Sequence, residues 1–361
     1  MSMTPGAPID WAKAACDAVM AAYTPEELPP AGKWHYHQGV FLTGAVQVWE
    51  RTGDVRYFDY TKRYVDHLVD ELGNVVVAKG ELDAIQAGLL LFTLEDATGD
   101  SRYREAARKL RALFETFNRT REGGFWHKDH YPYQMWLDGL YMGGVFAARY
   151  AARYGEPELV DMALHQERLM RRGTLRPDGL LVHAWDESRR APWADPATGM
   201  APEVWGRALG WYGVALAEIR AALPEGHPAR EDLAAKLGAL AEALVRYQDA
   251  GSGLWHQVVD KGDRPDNWLE LSCSSLYVYS IAEAVRAGAA DPALLEAARR
   301  GFAGITARVE WDAEGRLVLP DICIGTGVGD YAHYIARPVS RNDLHGVGTF
   351  VWACMAMDRV D

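Results

Sequence analysis

The sequence predicts an all-α protein, an (α/α)6 barrel of six helical hairpins forming a single domain over residues 1–361. Three observations predict it. Apolar residues recur at helical spacing along most of the chain, one helix-joining turn repeats, and the helices on either side of that turn differ in charge. Thr52-Gly53-Asp54-Val55-Arg56-Tyr57 and Thr98-Gly99-Asp100-Ser101-Arg102-Tyr103 are near copies, with a Gly to end one helix and an Asp to open the next. Weaker versions stand at Tyr154-Gly155-Glu156-Pro157, Gly226-His227-Pro228 and Ala290-Asp291-Pro292.

In chain order, residues 9–23 open with an amphipathic helix, and each joint is followed by another: 57–72, 103–117, 156–170, 229–247 and 293–307. These read as outer, half-solvated helices. The segments that precede the joints, 34–50, 81–97, 135–153, 203–222 and 267–287, and the closing segment 343–358, are rich in Gly, Ala and aromatic residues and poor in charge. They read as inner helices packed on all sides. Alternating inner and outer helices close into a ring; an open solenoid is the alternative, but it does not require charge-poor helices. Short Gly-led segments at 124–127, 179–183, 253–256 and 315–320 each precede an inner helix. Their aromatic and histidine side chains therefore collect at one mouth of the barrel.

Composition excludes several classes of function. With 38 Lys+Arg against 50 Asp+Glu the net charge is −12, which argues against nucleic-acid and anionic-membrane partners. Hydrophobic residues at 49% and charged residues at 24% suit a globular core. No apolar run is long enough for a membrane helix, and Asp10, Lys13 and Asp17 are too charged for a signal peptide, so a cytoplasmic monomer or weak homo-oligomer is expected. The 4 cysteines, Cys16, Cys273, Cys323 and Cys354, are scattered and read as buried thiols. No cofactor is indicated: Gly325-Thr326-Gly327-Val328-Gly329 lacks the Lys-Ser/Thr of a phosphate loop and reads as a tight turn, and Ser274 and Ser275 lack a nucleophile-elbow pattern. His35 and His37 form a His-x-His fragment without a matching third ligand, so no metal is expected.

Acidic residues recur near the starts of inner helices: Asp83, Asp138, Glu203, Glu270 and Asp343. Each suits helix capping, and one or two of them suit general acid/base chemistry. Asp138 lies within Tyr133-Gln134-Met135-Trp136-Leu137-Asp138-Gly139-Leu140-Tyr141, where burial among aromatics is expected to raise its pKa and keep a proton on it. Positive charge gathers nearby at His127, Lys128, His183 and Arg207. A guanidinium in a charge-poor helix calls for an anionic partner, either a protein carboxylate or a substrate carboxylate. Carboxylates, histidines and the faces of Trp and Tyr, 13 and 17 in number, together suggest an acidic sugar.

Several segments in one order now carry a resemblance: Trp34-His35-Tyr36-His37-Gln38-Gly39, Leu82-Asp83-Ala84-Ile85-Gln86-Ala87-Gly88, Trp136-Leu137-Asp138-Gly139-Leu140-Tyr141-Met142, Trp205-Gly206-Arg207-Ala208-Leu209-Gly210-Trp211, Asn267-Trp268-Leu269-Glu270 and Asn342-Asp343-Leu344-His345-Gly346. Along nearly its whole length the chain resembles glycoside hydrolase family 105, the unsaturated rhamnogalacturonyl hydrolases. The resemblance implies the (α/α)6 barrel and removal of a Δ4,5-unsaturated galacturonyl unit from lyase-generated pectin fragments by hydration of its C4=C5 double bond. It also implies Asp138 as general acid/base, Asp83 as the second acidic residue, and Tyr36, His127, Lys128, Trp136, His183, Arg207 and Trp211 as substrate contacts. An unsaturated glucuronyl hydrolase acting on glycosaminoglycan, ulvan or other fragments is the neighbouring alternative. A non-catalytic sugar-binding barrel and a conventional inverting glucanase using Glu203 or Glu270 with Asp83 are more distant ones.

Overall fold

In the computed structural model, which describes residues 5–77 and 80–360, the repeated joints cap helices as their residue types require. Asp54 and Asp100 accept the backbone N–H of Arg56 and Arg102 at 3.1 and 2.9 Å. Gly53 and Gly99 end the preceding helices in the left-handed region at φ 73° and 70°, a conformation that a side chain disfavours. The resulting helices are α1 (Pro8–Ala22), α2 (Tyr36–Thr52), α3 (Val55–Leu68), α4 (Leu89–Thr98), α5 (Ser101–Ala112), α6 (Val145–Tyr154), α7 (Pro157–Thr174), α8 (Gly206–Ala222), α9 (Ala229–Arg246), α10 (Leu271–Arg286), α11 (Leu295–Arg308) and α12 (Leu344–Asp358).

These helices form the predicted barrel. The inner ring runs α2, α12, α10, α8, α6 and the segment leading into α4, which returns to α2. Each inner helix packs against its outer partner, and α1 lies on α12, so the first and last helices complete one hairpin. The inner faces are almost wholly buried: Trp205, Trp211, Tyr212, Tyr277 and Phe350 have at most 2% of their surface exposed. All four cysteines are free and buried. Among the described residues no helix is long and apolar enough to cross a membrane.

The second and third inner helices depart from the expected continuous spans. Residues 81–97 divide into a single turn, Asp83–Gln86, and α4. Residues 135–153 begin as a strand, β1 (Gln134–Trp136), followed by a turn at Leu137–Gly139 and a π-helical turn at Leu140–Gly144 before α6. The cause is close packing between the two: a Cβ on Gly139 would stand 2.8 Å from Leu82 Cδ1, and one on Gly143 would stand 3.0 Å from Leu82 Cδ2. That approach sets the chain at Asp83 beside the chain at Asp138.

The fourth and fifth inner helices start later than expected, at Gly206 and Leu271, because the preceding residues are extended and paired, Trp205 with Val258 and His256 with Leu269. Strand β1 pairs antiparallel with β2 (Ala184–Asp186), β3 (Glu310–Trp311) with β4 (Leu317–Val318), and β5 (Ile322–Cys323) with β6 (Val339–Ser340). These ladders precede inner helices, so they frame the mouth at which those helices begin.

Candidate active site

At that mouth lies a cavity of about 410 Å3, within the roughly 300–1,000 Å3 typical of small-molecule sites. Trp136, Tyr131, Trp205 and Tyr36 supply its aromatic wall, Asp83 and Asp138 its carboxyls, and Lys128, Arg207 and Arg337 its positive charge. Asp138 sits in the turn between β1 and the π-helical segment and is 8% exposed. Its Oδ2 lies 3.3 Å from His183 Nε2.

A hydrogen-bond chain behind Asp138 fixes the His183 tautomer. The Gly329 N–H donates to the Tyr334 hydroxyl at 3.2 Å, which leaves the hydroxyl's own proton to be directed at His183 Nδ1, 2.7 Å away. The His183 proton is thereby placed on Nε2, facing Asp138. Burial pushes the Asp138 carboxyl up, but the contact with His183, with His127 behind it, outweighs burial and holds the carboxyl below its ordinary value. The expectation of a raised pKa is therefore corrected: the aromatic burial is present, and the imidazole behind the acid reverses its effect. His183 is wholly enclosed, and burial lowers its own pKa and keeps it neutral against the pull of Asp138.

Asp83 opens the turn before α4 and is 4% exposed. Its Oδ2 takes the Lys128 ammonium at 2.7 Å, and its Oδ1 is 3.6 Å from His127 Nε2. Burial raises this carboxyl, and His127 and Lys128 together lower it further than burial raises it. Lys128 also reaches Glu81 at 3.2 Å; burial pulls its pKa down, and Asp83 and Glu81 more than restore it, so it stays charged. His127 stacks on Trp136 at 4.4 Å. The charge of Asp83 acts on Asp138, so the two acids are electrostatically linked.

Comparison with known proteins identifies the enzyme class of the chain. The family model described as Glycosyl Hydrolase Family 88 matches residues 11–360. The chain belongs to this family. A family 105 glycoside hydrolase from Clostridium acetobutylicum has the same fold with a TM-score of 0.92 and 35% identity, covering 96% of this chain and 99% of that one. Protein Atu3128 of Agrobacterium fabrum is 33% identical over 226 residues, 59% of this chain and 96% of the relative. The unsaturated rhamnogalacturonyl hydrolase YesR of Bacillus subtilis is 28% identical over 253 residues, 67% of this chain and 68% of the relative. The resemblance to family 105 is borne out, and the protein is a glycoside hydrolase.

In this family 88 hydrolase, Tyr36, Asp83, His127, Lys128, Trp136, Asp138 and Arg207 meet at one cavity. Two predicted contacts lie elsewhere. His183 stands behind Asp138 with no exposed surface, so it positions the acid from behind. Trp211 is buried in the barrel interior, stacked on Tyr141 at 4.9 Å and edge-on to Trp352, because it lies one helical turn deeper than Arg207. Arg207 does not find a protein carboxylate among the described residues. It stacks over Trp205 and donates to the carbonyls of Cys323 and Ile324 at 2.5 and 2.9 Å.

The remaining acids divide between structural roles. Glu270 caps α10 through the Cys273 N–H and also takes the Cys323 N–H, while Glu203 is held by Lys261. Sequence reasoning missed Tyr131, Met142, Thr326 and Arg337 in the cavity lining. It also read 325–329 as a tight turn, whereas this stretch is an open loop along the cavity. A Cβ on Gly325 would approach only the Tyr36 hydroxyl, at 3.9 Å, so a side chain there would enter the space left for a ligand. The glycine spacing marked this loop as unusual, but only the fold places it at the mouth.

Proposed function

We propose that residues 1–361 act as one catalytic domain that removes a Δ4,5-unsaturated galacturonyl unit from the non-reducing end of lyase-generated rhamnogalacturonan fragments. The observation that carries this reading is a buried acid, Asp138, with its imidazole partner fixed in tautomer, at the edge of an aromatic cavity that also holds Lys128, Arg207 and Arg337. An anionic ring suits those cations, and its flat C4–C5 region suits the Trp136 and Tyr131 faces. The Bacillus subtilis relative, an unsaturated rhamnogalacturonyl hydrolase, supports the same substrate class.

In this reading the incoming uronate carboxylate raises the Asp138 pKa, as a second anion in a low-dielectric site must, and the carboxyl then takes up from solvent the proton the resting acid lacks. Asp138 gives that proton to C4, then accepts one from water as its oxygen adds to C5. The hemiketal so formed opens and releases the neighbouring sugar. Asp83 and Lys128 hold ring hydroxyls, and His183 orients Asp138. The conventional inverting mechanism is disfavoured, because Glu270 is engaged as a cap and Glu203 is paired with Lys261.

The test follows ultraviolet absorbance of the enuronate chromophore with an unsaturated rhamnogalacturonan disaccharide and, separately, an unsaturated glucuronyl disaccharide. Loss of signal with the first alone is the expected result. Loss with the second alone moves the substrate to the glucuronyl class, and no loss with either from folded protein overturns hydration as the activity.

A further inference from the structure

One cluster of donor atoms beside the cavity has no part in the hydration. His37, Asp343 and His345 each offer a ligand atom, all within 4.8 Å of one another. They come from opposite ends of the chain, His37 from the first turn of α2 and the other two from the start of α12, and the contact of α2 with α12 brings them together. Asp343 and His345 supply the two further ligands that His37 lacks in sequence, and His35 stays outside the cluster.

The local hydrogen bonds leave these atoms unsatisfied. His35 caps α2, its Nδ1 accepting the His37 backbone N–H at 3.5 Å, and the same nitrogen lies 2.8 Å from His37 Nδ1. With His35 Nδ1 as acceptor, the shared proton belongs to His37 Nδ1, and His37 Nε2 carries a lone pair. That lone pair faces Asp343 Oδ1 at 3.6 Å, beyond hydrogen-bond range. His345 Nδ1 lies 2.7 Å from the same oxygen, and its Nε2 has no partner although the ring is completely buried. A lone pair set against an anion, beside a buried unpartnered imidazole, is the pattern a cation relieves.

We propose that His37, Asp343 and His345 bind one divalent transition-metal ion, zinc before the others, at the edge of the sugar cavity. Two imidazoles and one carboxylate are a zinc donor set, whereas calcium and magnesium require oxygen ligands. The Arg207 charge acts on both Asp343 and His345 and opposes a second cation, so binding must come from direct ligation and not from the surrounding field.

The test uses the full chain treated with chelator and then titrated with zinc chloride by calorimetry and with cobalt chloride by visible absorption. The expected result is one equivalent per chain, cobalt d–d bands that zinc displaces, and at least a tenfold loss of affinity in His345→Gln and in Asp343→Asn. His37→Gln and Asp343→Asn, at the two partly exposed ligands, keep the readout should the buried His345 variant misfold, and His256→Gln, a histidine outside the cluster, is expected to bind as the parent does. Absence of stoichiometric binding by the parent protein, or binding undiminished in the folded ligand variants, overturns the site.

Discussion

The two mouths of the barrel enclose cavities of similar size, about 410 Å3 where the inner helices begin and about 310 Å3 where they end, and both are lined by charge. At the far mouth the arginines are matched by carboxylates. Arg149 pairs with Glu218, which also accepts the Tyr279 hydroxyl at 2.5 Å, while Arg286 and Arg359 share Glu283 at 2.5 and 2.9 Å. At the near mouth Arg207 and Arg337 donate to backbone carbonyls, and Asp138 faces an imidazole. A carbonyl orients a guanidinium without cancelling its charge, so the near mouth keeps a positive field for an anion while the far mouth keeps none. Size and polarity alone do not separate the two cavities; the identity of each partner does.

The sharpest break in this comparison is Asp138→Asn. It is expected to reduce turnover by about 10²–10⁴-fold or more, as loss of a general acid/base does, with circular dichroism and Tm near those of the parent. Near-normal absorbance loss on an unsaturated substrate would remove Asp138 from its role.

Acid should separate the mouths next. Burial holds His127 and His183 below their ordinary pKa, so both are neutral in the folded protein, whereas in the unfolded chain they protonate near pH 6.5. The unfolded state therefore binds more protons below about pH 6.5, and stability falls as pH falls from there toward the folded values. Each histidine contributes at most about 1.4 kcal/mol per pH unit. Among the described residues no histidine lines the far cavity. Tm measured from pH 7 to 5.5 is expected to drop, and His183→Gln to lessen the drop; a flat profile in the parent would show that these rings do not stay neutral.

Asp83→Asn removes the carboxylate from Lys128 and His127. A hydrogen bond between charged groups contributes about 1.5–3 kcal/mol, which corresponds to a loss of roughly 10–100-fold in kcat/KM. At the far mouth, Glu218→Gln is expected to cost about 1–2 kcal/mol of stability, discounted because Arg149 is 44% exposed, and to leave kcat/KM of the folded fraction unchanged. Denaturant melts and steady-state rates on both variants decide the matter. Equal losses of activity would mean that the two mouths are coupled.

Most of the barrel was legible in the sequence because its signals are local. The Gly53 and Gly99 stops, the Asp54 and Asp100 caps and the charge-poor inner segments each act within a turn or two of the residues that encode them. Asp83, Asp138 and Lys128 were legible through motifs for the same reason. What was not legible depends on contacts across the chain. The break in the second and third inner helices follows from the fit of Leu82 against Gly139, and Trp211 lies deep because of Tyr141 and Trp352. The lowered Asp138 pKa requires His183, and the meeting of His37 with Asp343 requires the first and last inner helices to pack side by side.

The finest test of the comparison is Tyr334→Phe. In the proposed mechanism a neutral donor chain runs from the Gly329 N–H through the Tyr334 hydroxyl to His183, whose Nε2 faces Asp138 at 3.3 Å. Removing the hydroxyl deletes two hydrogen bonds, each worth about 0.5–1.5 kcal/mol, and frees the His183 ring to take the other tautomer, with a lone pair against the carboxylate. A structural role alone would lower Tm and leave the rates of the folded enzyme alone. A positioning role lowers kcat by roughly 2–10-fold at unchanged KM and shifts the alkaline limb of the kcat–pH profile upward, because Asp138, which must be protonated to act, loses the donor that holds its pKa down. An unshifted limb with reduced Tm would assign Tyr334 to packing and leave the orientation of His183 to the Trp205 ring that lies 4.7 Å away.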